Sequence, residues 1–453
     1  METSLVILAA GKGTRMQSDL PKVLHQVAHA PLLAHAMRAG AALDPARTVV
    51  VAGHGAEAVA QAAEEENAQA RVVLQQEQLG TGHAVMQARE AMAGFAGTVI
   101  VLYGDTPFIT EATLQAMIAA RADHDVVVLG FDTPQPGRYG RLKMDGDQLT
   151  AIVEFKDADA EERAITLCNS GVMACDATLL FDLLDRVSND NASGEYYLTD
   201  IVELSRAAGK SATAVVCPQD ETLGVDSRAG LARAEALFQD RARAELLELG
   251  VTLTAPDTVY LAHDTIIGRD VTVEPHVVFG PGVTVETGAT IRAFSHLEGC
   301  HVSRGAVVGP YARLRPGAEL AEDTRVGNFV EIKNATIAEG AKVNHLSYIG
   351  DASVGAGTNI GAGTITCNYD GFLKHHTEIG AGAFIGSNTM LVAPVKVGNN
   401  AMTASGSVIT TDIPDGALAL ARARQDTKPG RALKLFDYLR ARKQQQQKSK
   451  EQG

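Results

Sequence analysis

From Ile267 onward the chain keeps a period of six. Aliphatic or aromatic residues stand at Ile267, Val273, Phe279, Val285, Ile291 and Leu297, and a small or branched residue follows four places later at Val271, Val277, Val283, Ala289 and Ser295. The register slips by one and resumes at Val302, Val308, Leu314, Leu320, Val326 and Ile332, and later at Ile379, Ile385, Leu391 and Val397. This is the pattern of a hexapeptide β-helix, in which each short face buries one aliphatic side chain against the coils above and below. Its main interruption, "CNYDGFLKHHTE" at residues 367–378, predicts an excursion from the coil. Such insertions often carry function.

The first half has a different rhythm. Short β-branched runs such as "TVVVAG", "TVIVLYGD" and "DVVVLGF" alternate with helical stretches such as "AEAVAQAAEEENA" and "EATLQAMIAARA". That alternation predicts βαβ units and a mainly parallel sheet, whose ligands sit beyond the carboxyl ends of the strands. The stretch "SRAGLARAEALFQDRARAELLELG" has helical spacing and many charges, so it reads as a connecting helix. The expected division is 1–226, a linker helix over 227–250, and 251–453 with a basic tail. The tail, "RALKLFDYLRARKQQQQKSKEQG", reads as a short helix followed by a disordered end.

A glycine-rich loop opens the chain in "LVILAAGKGTRMQSDLPKVLHQV". It misses the spacing of a Walker A loop, and Met16 stands where a dinucleotide fingerprint needs its third glycine. What remains is a strand followed by glycines that let backbone N–H groups approach a phosphate, with cations nearby. The loop and "GDTP" each follow a strand, and so point to one rim.

A net charge of -14 argues against nucleic-acid binding, which needs clustered Lys and Arg. Five scattered cysteines with no C-x-x-C indicate neither a disulfide framework nor a zinc site, and fit a cytoplasmic protein. The N-terminal apolar run is short, preceded by Glu2 and without Lys or Arg, unlike a secretory signal; no run reaches the length of a membrane span. "HQVAH" puts His25 and His29 one helical turn apart but lacks the Glu of a zinc protease.

The motifs "LAAGKGTRM", "PKVLH", "EQLGTGHA", "YGD", "GEYYLTD", "RLRPGAEL", "VGNFVEIK", "HLSYIGD" and "NIGAGTITCNYDG" resemble the bifunctional bacterial N-acetylglucosamine-1-phosphate uridylyltransferase/glucosamine-1-phosphate acetyltransferase family, over nearly the whole chain except the tail. The resemblance implies a Rossmann-like pyrophosphorylase domain and a left-handed parallel β-helix that forms a homotrimer. It also implies UTP, N-acetylglucosamine 1-phosphate, glucosamine 1-phosphate and acetyl-CoA as substrates, with Mg²⁺ as the metal.

Carried over by motif, Leu8, Ala9, Ala10, Gly11, Lys12, Gly13 and Thr14 cradle the nucleotide, while Arg15 and Lys22 hold the triphosphate and the sugar phosphate. Asp105 is the metal ligand, beside Gly104. Asp226 is the second, although the family commonly has Asn there. Gln75, Gly80 and Thr81 contact uracil; Tyr103, Gly140, Glu154 and Asn169 line the ribose and sugar side. Phe155 and Ser170 replace a frequent His and Thr.

For acetyl transfer the resemblance makes His345 the general base, a task suited to imidazole. Arg315, Lys333, Tyr348 and Asn359 take the amino-sugar phosphate, and Asn368 and Tyr369 hold the amino sugar beside acetyl-CoA. Ala362, Ser387, Ser405 and Arg422 map to the acetyl-CoA side, with a backbone N–H near Ala362 as oxyanion donor. Ser405 stands where Ala is frequent. Two other readings are an enzyme that activates a different sugar 1-phosphate, and a β-helix that serves only as an oligomerisation scaffold.

Overall fold

The computed structural model describes residues 2–451, and the chain folds into two compact units: residues up to Ile266 together with Val278–Gly282, and Ile267–Val277 together with the residues from Val283 on.

The first unit is built on a sheet with the order Ala212–Val216, Val126–Asp132, Leu167–Asp176, Thr98–Tyr103, Thr3–Ala9, Arg47–Ala52, Arg71–Leu74. Alternate residues of each central strand enter different cores. Val6, Val49, Val101 and Val128 pack on one face; Leu5, Ile7, Val50, Ile100 and Val127 pack on the other. Because both faces are covered, the strands read as unbroken apolar runs. Each fully buried aliphatic side chain contributes about 1.5–3 kcal/mol.

Thr3–Ala9 runs parallel to both Arg47–Ala52 and Thr98–Tyr103, so the loop after Ala9 and the Gly104–Asp105 turn leave the sheet at one rim, as the sequence predicts. The expected parallel sheet has one internal exception. Leu167–Asp176 lies antiparallel between Thr98–Tyr103 and Val126–Asp132, with a register irregularity between Asn169 and Met173. Its reversed direction delivers Asn169, near its start, to the same rim.

The helix Arg228–Glu248, capped by Ser227 Oγ on the Gly230 amide at 3.1 Å, belongs to this first unit. Gln239 brackets one residue, donating to the Leu261 carbonyl at 2.7 Å and accepting from the Leu261 N–H at 2.8 Å. Arg243 donates to the Pro256 carbonyl at 3.0 Å. These polar anchors explain why a helix so rich in charge has Gln239 and Arg243 among its buried residues.

In the second unit the period of six becomes three short strands per coil. One rung column runs Val273, Ile291, Val308, Val326, Val343 and Ile360, every step parallel and 17 or 18 residues long. The aliphatic positions are almost solvent-free, and Val271, Val277, Val283, Ala289 and Ser295 are buried as well. Coil corners carry left-handed residues; at one corner Phe294, Tyr311 and Phe329, with φ of 60°, 56° and 56°, stack on the surface with centroids 4.8 and 5.4 Å apart.

The excursion leaves after Cys367. Asp370 organises it, accepting the Phe372 and Leu373 amides at 2.8 and 2.7 Å and pairing with His375 at 2.7 Å. The tail is more regular than expected, a helix over Arg431–Glu451 in place of a short helix with a disordered end. Gln, Lys and Arg are good helix formers on an exposed surface, where packing does not decide. No helix among the described residues is long and apolar enough to cross a membrane.

Candidate active sites

The opening loop is set by two left-handed residues, Gly13 (φ 58°) and Gln17 (φ 50°), around a single 3₁₀ turn, Thr14–Met16. Met16 is fully buried. The residue that breaks the dinucleotide fingerprint is thus a core anchor, pinning the loop so that Arg15 faces outward. A Cβ on Gly13 would lie 2.6 Å from Lys22 Cβ, so the glycine is what lets the loop close over Lys22.

Lys22 is the centre of the constellation. Its ammonium binds Asp105 and, at 3.0 Å, Asp226, and Arg15 reaches Asp226 at 2.9 Å. Asp226 comes from a distant stretch, carried there because the Val225 amide donates to the Asp105 carbonyl at 3.0 Å. Burial alone would lower the Lys22 ammonium, but Asp105 and Asp226 outweigh it and hold it above its ordinary 10.5. Burial likewise pushes Asp226 up, and Lys22 and Arg15 more than reverse this. Two carboxylates converging on one cation form a hard-oxygen donor set that fits a divalent metal sharing substrate phosphates.

Beside them opens a cavity of about 310 Å³, lined by Leu8, Ala9, Ala10, Gly11, Lys22, Gln75, Gly80, Thr81, Tyr103 and Asp105 among others. Ten residues expected at the nucleotide therefore share one space. Gln75 is buried and donates to the Gly80 carbonyl at 3.1 Å. At Gly80 the backbone has φ 110°, and a Cβ would meet the Tyr196 carbonyl at 2.6 Å. Thr81 accepts the Leu198 amide at 3.1 Å. Burial raises the Tyr103 phenol well above its ordinary value.

Lys12, Thr14 and Arg15 stand exposed on the loop, and Gly104 donates to the Leu8 carbonyl at 2.9 Å behind the cavity. Glu154 lines a neighbouring 250 Å³ pocket with Arg138, Lys156 and Tyr197. Glu195, which the motif reading did not single out, lines both. Burial pushes the Glu154 carboxyl up, partly offset by Thr199. Asn169 donates its amide to the Gly140 carbonyl at 2.8 Å, so these two expected contacts are neighbours. The two departures are accommodated: Ser170 Oγ donates to the Leu129 carbonyl at 2.7 Å, and Phe155 lies under the Arg163 guanidinium at 4.8 Å.

In the second unit most of the candidate residues fall into two groups. Along one corner the amides of Leu346, Gly363, Asn388 and Gly406 donate to the carbonyls of Asn328, His345, Ala362 and Ser387 at 3.1, 3.2, 2.7 and 2.8 Å. His345, Ala362 and Ser387 therefore follow one another up successive coils. Above them Arg422 donates to the Ser405 carbonyl at 2.7 Å. His345 Nδ1 lies 2.8 Å from Asn328 Oδ1 on the coil below. Since that oxygen only accepts, the neutral ring that fits this contact carries its proton on Nδ1 and its lone pair on Nε2.

The second group surrounds Asp351. Asn334 donates to one oxygen at 2.6 Å, Asn368 to the other, and Lys333 lies 3.7 Å away. Tyr348 OH is 3.4 Å from the Asn368 amide. Burial would raise Asp351, but the two amides and Lys333 hold it below the usual carboxylate range. Lys374, from the excursion, is lowered chiefly by its contact with Lys333. Arg315 pairs with Glu331 at 2.8 Å, Tyr369 turns back to the Gly371 carbonyl at 2.5 Å, and Asn359 pairs with Lys342 on the adjoining face. Asp351, Lys374 and Asn328 were missed by motif reading. The coil period is the signal for Asn328, which sits 17 residues before His345.

A nucleotide-sized cavity at the strand ends of an α/β sheet, joined to a hexapeptide β-helix, defines a two-domain transferase. Residues 5–166 match the MobA-like NTP transferase domain, and residues 376–411 match the bacterial transferase hexapeptide (six repeats). The chain is 73% identical over 443 residues to the bifunctional protein GlmU of Ruegeria sp. (strain TM1040), covering 98% of this chain and 99% of that one. It is 70% identical to the protein of that name from Ruegeria pomeroyi, covering 99% and 100%, and 64% identical to that of Jannaschia sp. (strain CCS1), covering 97% and 96%. The chain belongs to the family of bifunctional GlmU proteins, enzymes with uridylyltransferase and acetyltransferase activities.

Proposed function

We propose that uridylyl transfer from UTP to N-acetylglucosamine 1-phosphate occurs beside Lys22, and acetyl transfer from acetyl-CoA to glucosamine 1-phosphate beside His345. The observation that carries the first assignment is the sharing of one ammonium by Asp105 and Asp226 at the edge of the nucleotide-sized cavity. Both reactants are anions, so positioning and charge neutralisation supply most of the rate. An arriving triphosphate offers Arg15 and Lys22 new partners and frees both carboxylates. Asp105 and Asp226 would then hold Mg²⁺, which neutralises charge on the phosphates. The sugar-phosphate oxygen attacks the α-phosphorus, and pyrophosphate leaves toward the cations. Gln75 Oε1 presents an acceptor and the Gly80 N–H a donor to the uracil edge, the Gln75 amide nitrogen being engaged by the Gly80 carbonyl and His83.

In the second reaction Nε2 of His345 takes a proton from the glucosamine amine as it attacks the thioester, an amide near Ala362 faces the developing oxyanion, and the C–S bond then breaks to release CoA as a thiolate that takes up the proton. Lys333, Arg315 and Lys374 supply the positive charge for the sugar phosphate. The hexapeptide repeats favour an oligomer, and we assign a trimer. Five free thiols, four of them buried, support a cytoplasmic setting.

The test is one preparation assayed twice. Pyrophosphate should appear from UTP only with N-acetylglucosamine 1-phosphate and Mg²⁺, and stop on chelation. CoA should appear from acetyl-CoA only with glucosamine 1-phosphate and be indifferent to chelation. Pyrophosphate release from UTP with glucose 1-phosphate at an equal rate would reject the sugar assignment.

A further inference from the structure

The geometry points to Arg228 as a positioning residue for uridylyl transfer. Its Nε donates to the Met16 carbonyl at 3.1 Å, and its Nη1 lies 3.2 Å from His25 Nδ1. These partners stand on either side of Lys22 in the chain, and Met16 directly follows Arg15. Two residues before Arg228, Asp226 grips the same two cations from their charged ends. One short turn, residues 226–228, therefore holds the loop twice, by a carboxylate on its cations and by a guanidinium on its framework.

The pairing with His25 has a fixed sense. A guanidinium only donates, so His25 Nδ1 accepts and must be unprotonated. Burial, and then the charge of Arg228, push the His25 imidazole down, which keeps that acceptor neutral.

The location is otherwise an unfavourable one for a cation. Arg228 is the first residue of the helix Arg228–Glu248, and positive charge there opposes the helix dipole. Its two contacts with the loop offset that cost. Because in-line attack at the α-phosphorus depends on where Lys22 and Arg15 sit, loosening the loop lowers turnover; a displacement of about 1 Å costs up to about 100-fold.

This inference rests on placing uridylyl transfer beside Lys22. Arg228→Met and Arg228→Lys in the full chain should lower uridylyl kcat, the first up to about 100-fold and the second less, because an ammonium reaches one partner but not both. Acetyl transfer and the thermal midpoint should stay at the parent values. In Arg228→Ala, added methylguanidine should restore part of the uridylyl turnover, which a fold defect would not allow. Uridylyl kcat within about twofold of the parent in Arg228→Met, or a parallel loss of both activities, overturns the role. Lys22→Ala separates the failures. Undiminished uridylyl transfer in that variant sinks the site assignment itself, whereas its loss beside an unimpaired Arg228→Met sinks only the positioning role.

Discussion

The Asp105 carbonyl accepts the Val225 amide at 3.0 Å, and this one hydrogen bond helps bring two carboxylates far apart in the chain onto one ammonium. Asp105→Ala removes one of the two and leaves Lys22 with Asp226 alone. Uridylyl transfer should fall at least about 100-fold, as for other losses of charge stabilisation at a reacting phosphate. Acetyl transfer in the same preparation should persist. A pair of coupled assays on one sample decides it.

Asp226 also links stability to pH. Its carboxyl is held below 3.8 in the folded chain, so its contribution is present above that value and lost as pH falls through the lowered folded value. Lys22, raised above 10.5, contributes fully below 10.5 and loses that contribution as pH rises through its folded value. The Lys22–Asp226 contact enters both shifts, although Lys22 owes more of its rise to Asp105 and Asp226 is held down by Arg15 as well. Asp226→Asn should flatten the acid edge by less than about 1 kcal/mol, because its side chain is 43% exposed and solvent screens the pair. Urea unfolding between pH 3 and 6 (roughly the carboxylate range) is the measurement; an unchanged acid slope would contradict it.

Gly13→Ala should be costly twice. A left-handed non-glycine residue costs about 1–2 kcal/mol, and the new methyl would press on Lys22 Cβ. Uridylyl turnover should drop more than the thermal midpoint suggests, while Gly94→Ala, left-handed but with open space around its Cβ, should cost only stability.

Asn328→Asp tests the histidine on the next coil. A carboxylate 2.8 Å from Nδ1 would favour the imidazolium. Because a general base must be unprotonated, the acid limb of the acetyl-transfer pH profile should move to higher pH. The uridylyl profile should not move.

Asp351→Ala strands the Asn334 and Asn368 amides and frees Lys333. Hydrogen bonds to charged groups are worth about 1.5–3 kcal/mol each. The β-helix should lose stability on that order, and KM for glucosamine 1-phosphate should rise more than kcat falls. An unchanged KM would show that the Asp351 cluster does not shape the sugar-phosphate site.

Periodicity made the β-helix legible almost residue by residue, since each rung needs one apolar side chain at a fixed interval. The first unit was legible in outline, because βαβ alternation reveals a sheet and its rim. Leu167–Asp176 escaped because Asn169, Ser170 and Gly171 break its apolar run, leaving neither a continuous β-branched stretch nor a clean alternation. Motifs singled out Lys22, Asp105 and His345 as candidates. They could not reveal Arg228 or Asp351, whose meaning comes from partners distant in the chain: Met16 and His25 for the first, Asn334 and Asn368 for the second. The tail helix was underestimated because composition alone does not distinguish a solvated helix from a disordered segment.

The step from Ile360 to Ile385 is 25 residues where the steps before it are 17 or 18, and the ladder still resumes in phase, with Thr366 opposite Leu391 and Val354 opposite Ile379. The extra length is absorbed wholly at one corner. Lengthening a surface loop is thermodynamically cheap. A fold that confines such changes to a corner separates inheritance of the scaffold from inheritance of specificity. Descendants of this chain can lengthen, shorten or rewrite the excursion without moving the column that carries His345.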